Sequence, residues 1–450
     1  MSKRIILRKG LNIRLKGEAE KSFGNITTSD YYAIKPTDFI GITPKMLVKE
    51  GDAVKAGSPV FFSKGNEEIL FSSPVSGVIE EVSRGAKRRI ECIRIKADRE
   101  ISYIDFGKAD PLSLSREQVT EKLLNSGLWP MLRQRPYHVV ANPTDKPKSI
   151  FVSGFDSSPL APDYDFIVHG NGDAFQAGLN AMSRLTSGKI HLNVNNDLPG
   201  SKVFTNSKNV TINHISGPHP AGNVGVQIHH IDPINKGDLV WFVSAFDLIT
   251  IGKLFLEGKY EASRLIALTG SEVLHPRYYK VLMGTCIKSI VENNIKEGNH
   301  RYISGNVLTG DAITNNGFLG FYHNQITVIP EGDKFEFLGW SLPGIKKYSA
   351  SRTFLSGILP AKAYKIDTNF HGGVRAFVFS GQYEKYVPMD ILPVYLLKSI
   401  LAEDIELMEN LGIYEVAEED FALCEFACTS KIEVQEILRK GLDLMKKEMS

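Results

Sequence analysis

The run Val48 to Lys96, "VKEGDAVKAGSPVFFSKGNEEILFSSPVSGVIEEVSRGAKRRIECIRIK", constrains the fold most tightly. Turn residues Gly51-Asp52, Gly57, Gly65-Asn66 and Gly77 divide it into short β-rich pieces. No helix of ordinary length fits between them. Spacing of this kind predicts a compact all-β barrel or sandwich, which we place over residues 1–105.

Within that run, "FSSPVSGVIEEVSRG" (Phe71 to Gly85) resembles half of a lipoyl or biotinyl carrier domain. Carriers display one modified lysine on a hairpin tip. The tip here reads Ser63-Lys64-Gly65-Asn66-Glu67, where Gly65-Asn66 supplies the positive φ of a tight turn. Its flanks are neither Met-Lys-Met nor the Asp-Lys of lipoyl tips. Lys64 is therefore expected to be a solvated turn lysine, on a scaffold kept without a swinging cofactor.

Beyond the barrel the period changes. "DPLSLSREQVTEKLLNSG" reads as an amphipathic helix starting at Asp110-Pro111, with Val119, Leu123 and Leu124 on one face and Gly127 as its stop. The strands "KSIFVSGFD", "KIHLNV", "SKNVTINHI" and "DLVWFVSAFD" alternate with helices, as in an α/β Rossmann-like domain with a mostly parallel sheet, over 106–258. Residues 259–330 hold two strands, a Pro-marked turn and a helix start, and read as a β-grasp-like module. Residues 331–385 are Gly-, Pro- and aromatic-rich and are expected to form an irregular connection. Residues 386–450 read as helical. The fold class is thus multidomain α+β, in keeping with 450 residues as a soft measure of about three domains.

Net charge is +2, which gives no reason to expect a nucleic-acid partner. The basic cluster Lys87-Arg88-Arg89 is expected at a solvated hairpin end. The N-terminus lacks the apolar core of a signal peptide. The most apolar stretch, Leu239 to Leu256, is interrupted by Asp247 and Lys253 and suits a buried strand and helix better than a membrane span. Four cysteines (Cys92, Cys286, Cys424, Cys428) are too few for a disulfide scaffold at this size.

No P-loop is present. Gly170 and Gly172 precede a helix, but Gly178 is off the dinucleotide spacing, so turn and helix-start chemistry explains them. "GPHPAGNVGVQIHHIDP" concentrates His219, His229 and His230 with no cysteine nearby; it reads as a loop that packs on a partner or shapes a pocket rather than a zinc site. "CEFAC" puts Cys424 and Cys428 one helical turn apart. Only the last C-x3-C of a ferredoxin pattern is there, with Thr429 in place of Pro. Two thiolates cannot hold a four-iron cluster, so they read as small buried residues, with a redox pair as the alternative.

"LRKGLNIRLKG", "VKEGDAVKAGSPVF", "SPVSGVIEEVSRGAKR", "GPHPAGNVG" with "IHHIDP", "DLITIGKLFLEGKY", "ALTGSEVLHPR" and "CEFACTSK…ILRKGLD" follow one another in this order. The ordered set resembles the A-subunit family of the bacterial sodium-translocating NADH:quinone oxidoreductase (Na+-NQR). That family is similar to the C-subunit of the Rnf complex and to the NADH-binding flavoprotein subunit of complex I. The resemblance implies a barrel-sandwich hybrid, a flavoprotein-like α/β domain, an SLBB module of the β-grasp type and a helical domain like a degenerate iron–sulfur domain. It implies a peripheral subunit on the cytoplasmic face of the bacterial inner membrane, partnered by membrane-spanning subunits. Quinone reduction there is coupled to sodium export, with NAD and flavins in the wider complex.

In the Rnf and complex I relatives a glycine-rich loop after the first helix binds flavin or nucleotide phosphate. The matching stretch here is "SGLWPMLRQRPY", where Trp129, Pro130 and Met131 replace the glycines. Bulky side chains fill the space a phosphate needs, so this chain is expected to bind neither flavin nor NADH. The competing reading is a soluble flavin- or NADH-binding oxidoreductase subunit of the Rnf or complex I type. The replacement brings together Trp129, Met131, Leu132, Arg133, Arg135, Pro136 and Tyr137, an apolar wall with a few donors. With His219 these are the expected quinone-binding or partner-facing residues; the bland alternative is that the aromatics plug an abandoned pocket.

Overall fold

A computed structural model describes the chain except residues 1, 26, 27, 334, 335, 340, 360 and 450. Four of those lie in the 331–385 connection, so part of the stretch expected to be irregular falls outside the described residues.

The glycine-punctuated run folds into two facing sheets. One has four strands in the order Tyr31–Ile34, Ile90–Ala97, Gly77–Arg84, Ala53–Val54; the other has Pro44–Met46, Pro59–Ser63 and Asn66–Ser72. Phe61 and Phe71 stack between them with ring centroids 4.4 Å apart. Lys64 is exposed at the tip.

The first 25 residues do not stay with the barrel. Arg4–Ile6 pairs in parallel with Thr211–Ser216, and Glu20–Phe23 pairs with Arg277–Leu282. A strand closes whichever sheet offers it an edge, and local pattern does not name that sheet.

The α/β sheet has seven strands in the order Arg4–Ile6, Thr211–Ser216, Lys189–Asn195, Ser149–Ser153, Val240–Ser244, Arg133–Arg135, Val139–Val140. The first five run parallel, and the last two are antiparallel additions. From Ser149–Ser153 the chain winds outward to one side, then returns to Val240–Ser244 on the other. That reversal makes a crevice at the strands' carboxyl ends, where open α/β sheets bind ligands.

The helix before this sheet starts later than the sequence suggests. Asp110 caps a short turn, Pro111–Ser113, through Leu112. The α-helix is Arg116–Asn125, opened by a capping box between Ser115 and Gln118. Two acceptors close together in the chain, Asp110 and Ser115, competed for one helix start, and the box satisfies more backbone N–H groups. Gly127 ends the helix at φ +72°, against Ser72 of the barrel.

Helices Gly172–Leu185 and Ala245–Glu257 cross where Gly178 and Gly252 face each other's backbone. A Cβ on Gly252 would overlap the Ala174 carbonyl oxygen. Gly252→Ala should therefore force the helices apart and cost about 1–3 kcal/mol, read as a lowered urea midpoint. Asp247, which breaks the apolar run, is buried in an ion pair with Arg264 of the next sheet; Lys253 reaches Glu261 at 2.5 Å.

That next sheet is six-stranded: Asp311–Ile313, His300–Ser304, Gln325–Pro330, Ser263–Thr269, Arg277–Leu282, Glu20–Phe23. The C-terminal helices Pro393–Leu401, Ile405–Asn410, Glu418–Ala427 and Val434–Met449 pack against the α/β sheet. Cys424 and Cys428 sit in that core. Cys428 accepts a 2.9 Å hydrogen bond from Tyr383. Burial pushes the Cys424 thiol well above its ordinary range.

Candidate functional site at the carboxyl end of the parallel sheet

Two strands end alike in sequence, "VSGFD" at Val152 to Asp156 and "VSAFD" at Val243 to Asp247. Ser153 and Ser244 are neighbours across the ladder. Beyond them opens a cavity of about 140 Å³. Ser153, Asp156 and Ser158 line it from the first strand and its loop; Phe242 and Ser244 line it from the second. The loop "GPHPAGN" adds His219, Gly222 and Asn223. Asn306 and Thr309 of a β-grasp hairpin overhang it, and Glu419 of the helical domain closes one side. Three domains thus meet at one hollow.

Arg133 is the cation of the cavity. Its guanidinium lies between the rings of Phe242 and Tyr322, 4.5 and 4.3 Å from their centroids. Nη1 is 3.0 Å from His138 Nε2, while the buried Nε has no partner. Ser158 Oγ is buried as well and lies against the Asp156 carboxyl, which it helps to hold down. Buried polar groups are normally bonded, so the orphaned Nε–H marks Arg133 as the lining residue with a donor to spare.

The other titratable groups are held neutral or paired. His219 Nδ1 is 3.0 Å from Ser157 Oγ, and burial lowers its pKa to about 4. Ser157 Oγ also accepts from the Gly222 N–H. Burial raises the Asp156 carboxyl, partly offset by hydrogen bonds from Ser158. Glu419 is lowered against its burial by the charge of Arg135, which it meets at 2.9 Å. The cavity therefore offers donors, the aromatic side chains Phe155 and Phe242, and the Asp156 carboxyl, raised by burial.

Of the residues expected on one wall, only Arg133 and His219 reach this cavity. Trp129, Met131 and Leu132 are fully buried in the core between barrel and sheet, and Pro136 is buried too. Arg135 is spent on ion pairs with Glu419 and Asp420. Tyr137, half-buried, meets Tyr414 edge-on. The alternation of the strand Arg133–Arg135 separates Arg133 from its neighbour Gln134 on the sheet's two faces. His229 and His230 turn elsewhere, to Glu415 and to the Pro388 carbonyl. Among the described residues no group of three or more His, Cys, Asp or Glu could hold a metal ion.

Asp156, Ser158, Asn223, Asn306 and Glu419 were not singled out in the sequence. The repeated V-S-x-F-D ending was the available signal for Asp156 alone.

Family models for the NqrA N-terminal barrel-sandwich hybrid domain, the NqrA second alpha/beta domain and the NQRA C-terminal domain (SLBB) match residues 5–98, 114–260 and 265–315. The A-subunit of the Na(+)-translocating NADH-quinone reductase of Yersinia pseudotuberculosis serotype O:1b is 38% identical over 449 residues, covering 99% of this chain and 100% of the relative. The chain belongs to this A-subunit family, NqrA. The family's namesake is an oxidoreductase complex. The Tolumonas auensis relative of the same name is 39% identical, over 97% of this chain and 98% of its own. A solved NAD+-reducing nickel–iron hydrogenase chain is far more distant, at 10% identity and a TM-score of 0.38 over 77% of this chain and 67% of that one.

In this NqrA chain the fold class read from the sequence is present: barrel-sandwich hybrid, α/β domain, SLBB module and C-terminal helices. No helix among the described residues is long and apolar enough to cross a membrane.

Proposed function

We propose that this NqrA chain is the peripheral, cytoplasmic-side component of a Na(+)-translocating NADH-quinone reductase, and that its cavity receives a quinone headgroup. The Arg133 guanidinium, set in the hollow at the carboxyl ends of the parallel strands with its Nε–H unpartnered, carries this reading. A quinone ring has two carbonyl acceptors and no donor, and its faces suit the Phe242 and Phe155 rings that line the same space. Reduction to quinol takes two electrons and two protons. The electrons come from NADH through partner subunits; Asp156, which lines the cavity, passes protons to the two oxygens from solvent, one for each. Sodium export belongs to membrane-spanning partners, since an ion path needs ionisable groups among spanning helices.

The domain limits 1–105, 106–258, 259–330, 331–385 and 386–450 are proposed with one amendment: the strands Arg4–Ile6 and Glu20–Phe23 serve the second and third units.

Titration of purified chain with a short-chain ubiquinone, followed by calorimetry, tests the cavity. Arg133→Leu should weaken binding by about tenfold or more, since a lost hydrogen bond from a charged donor is worth about 1.5–3 kcal/mol. Equal affinity in wild type and variant sinks the quinone assignment. Tight stoichiometric binding of flavin or NADH would favour the Rnf-like alternative instead. Co-purification from detergent-solubilised membranes tests the wider reading, which requires the chain to travel with membrane-spanning redox partners.

A further inference from the structure

Residues 337–379 combine two unusual properties. They hold eleven of the 24 exposed large hydrophobic residues among those described, led by Phe337 (91% exposed), Ile358, Val374 and Leu359. They also carry six lysines and arginines against a single acid, Asp367, in a chain whose total charge is only +2. Asp367 is itself engaged by His371 at 3.2 Å. Lys346, Arg352, Lys362 and Arg375 are exposed and make no ion pair among the described residues.

The segment is not a loose linker. Tyr364 is buried and exchanges backbone hydrogen bonds with Arg14 and Lys16. The Arg375 N–H donates to the Ser430 carbonyl, and Tyr348 packs on Phe426. Its inner residues hold it to the body while the apolar tips and free cations face out.

We propose that the described residues of 337–379 form a face that lies on an anionic phospholipid surface. Basic residues next to apolar tips give both parts of interfacial binding: attraction to anionic headgroups and burial of side chains at the headgroup–acyl boundary. Among its described residues the only regular element is the turn Leu355–Gly357. Its backbone groups could not be satisfied in hydrocarbon, which limits the face to shallow insertion. The same irregularity favours lipid over an acidic protein partner. A fluid bilayer needs no register, so irregularly spaced apolar tips among cations suit it, while an acidic protein partner would have to match their exact positions. The inference goes beyond the quinone cavity and does not depend on it.

The test is flotation of the purified full chain with vesicles of POPC alone or of POPC with about 30% POPG, at about 0.05 and 0.5 M NaCl, where screening differs strongly. The chain should float with the POPG vesicles, be released by salt, and ignore POPC. Arg352→Glu/Lys362→Glu/Arg375→Glu and, separately, Ile358→Ser/Leu359→Ser/Val374→Ser should each reduce binding about tenfold. Binding equal on both vesicles, or unchanged in the charge variant, overturns the proposal. So does absence of flotation with the POPG vesicles; if the charge variant is then also lost from the solubilised complex, the face belongs to a protein partner. Loss of wild-type chain from that complex would instead count against membership of the complex, a separate failure.

Discussion

Arg135→Met is expected to destabilise the docking of the C-terminal helices on the α/β sheet by about 3–5 kcal/mol. Arg135 is fully buried and binds two carboxylates, Asp420 at 3.1 Å and Glu419 at 2.9 Å. Both belong to the first turn of Glu418–Ala427, where the helix dipole also favours negative charge. The two acids respond oppositely to the one cation. Glu419, its side chain still 29% exposed, is held down, whereas Asp420, wholly buried with Oδ1 unpartnered, is pushed up to about 6. Burial outweighs pairing for Asp420 because its second oxygen has nothing to accept from. Removing Arg135 leaves that carboxylate dry, with only the Ala417 N–H bonded to it. Methionine matches much of the lost volume, so the expected cost is electrostatic. Thermal and urea unfolding of the chain, with limited proteolysis to locate the released helices, would measure it. A variant as stable as wild type would show that the pair contributes nothing net.

The same cluster gives a pH signature. Glu418 is lowered to about 2, against its burial, by His138 at 3.4 Å and by Arg439 at 3.2 Å. A carboxylate depressed in the fold contributes stability that is present above its ordinary value near 4.5 and lost as pH falls toward 2; burial lowers His138 as well, so the fold also loses stability as pH falls through the ordinary imidazole range. Asp420 works the other way: its raised value costs stability as pH climbs from about 4 through 6. Asp420→Asn keeps an acceptor for the Ala417 N–H and removes that alkaline penalty. It should therefore be better tolerated at pH 8 than at pH 4.5 relative to wild type.

How far the sequence reaches is decided by range. Turns at Gly51-Asp52, Gly57, Gly65-Asn66 and Gly77 act locally, and the barrel follows from them. Apolar runs at 149–153 and 240–244 each name a strand. Their adjacency, and so the cavity between their carboxyl ends, depends on a crossover the local pattern does not show. The destination of Arg4–Ile6, more than 200 residues from its partner strand, is of the same kind. The stretch 129–137 fails for a different reason. Aromatic and basic residues clustered in sequence look like a site, but a turn followed by a strand sends alternate residues to core, ion pair and cavity. Glu419 was invisible because nothing about an acidic helix start says which hollow it will close.

Trp129→Ala is the second large effect, expected at about 3–5 kcal/mol. Trp129 is fully buried, stands edge-on to Trp241 at 5.6 Å and 88°, and donates its indole N–H to the Ala141 carbonyl at 2.7 Å. Alanine leaves a hollow between barrel and sheet and strips that carbonyl of its donor, so transfer and hydrogen-bond losses add. Trp129→Phe, which keeps most of the volume and loses only the donor, should cost less than half as much. The pair of variants also decides what the loop is for. If Trp129 fills space once shaped for a phosphate, the alanine variant loses stability and still gains no affinity for flavin mononucleotide, because Pro130 lacks a backbone N–H and Met131 is wedged into the core beside it. Wild-type stability in Trp129→Ala would mean the side chain is not the plug its burial indicates. Stoichiometric flavin uptake by that variant would mean the cradle survived behind it, and that one indole is what separates this chain from a flavoprotein.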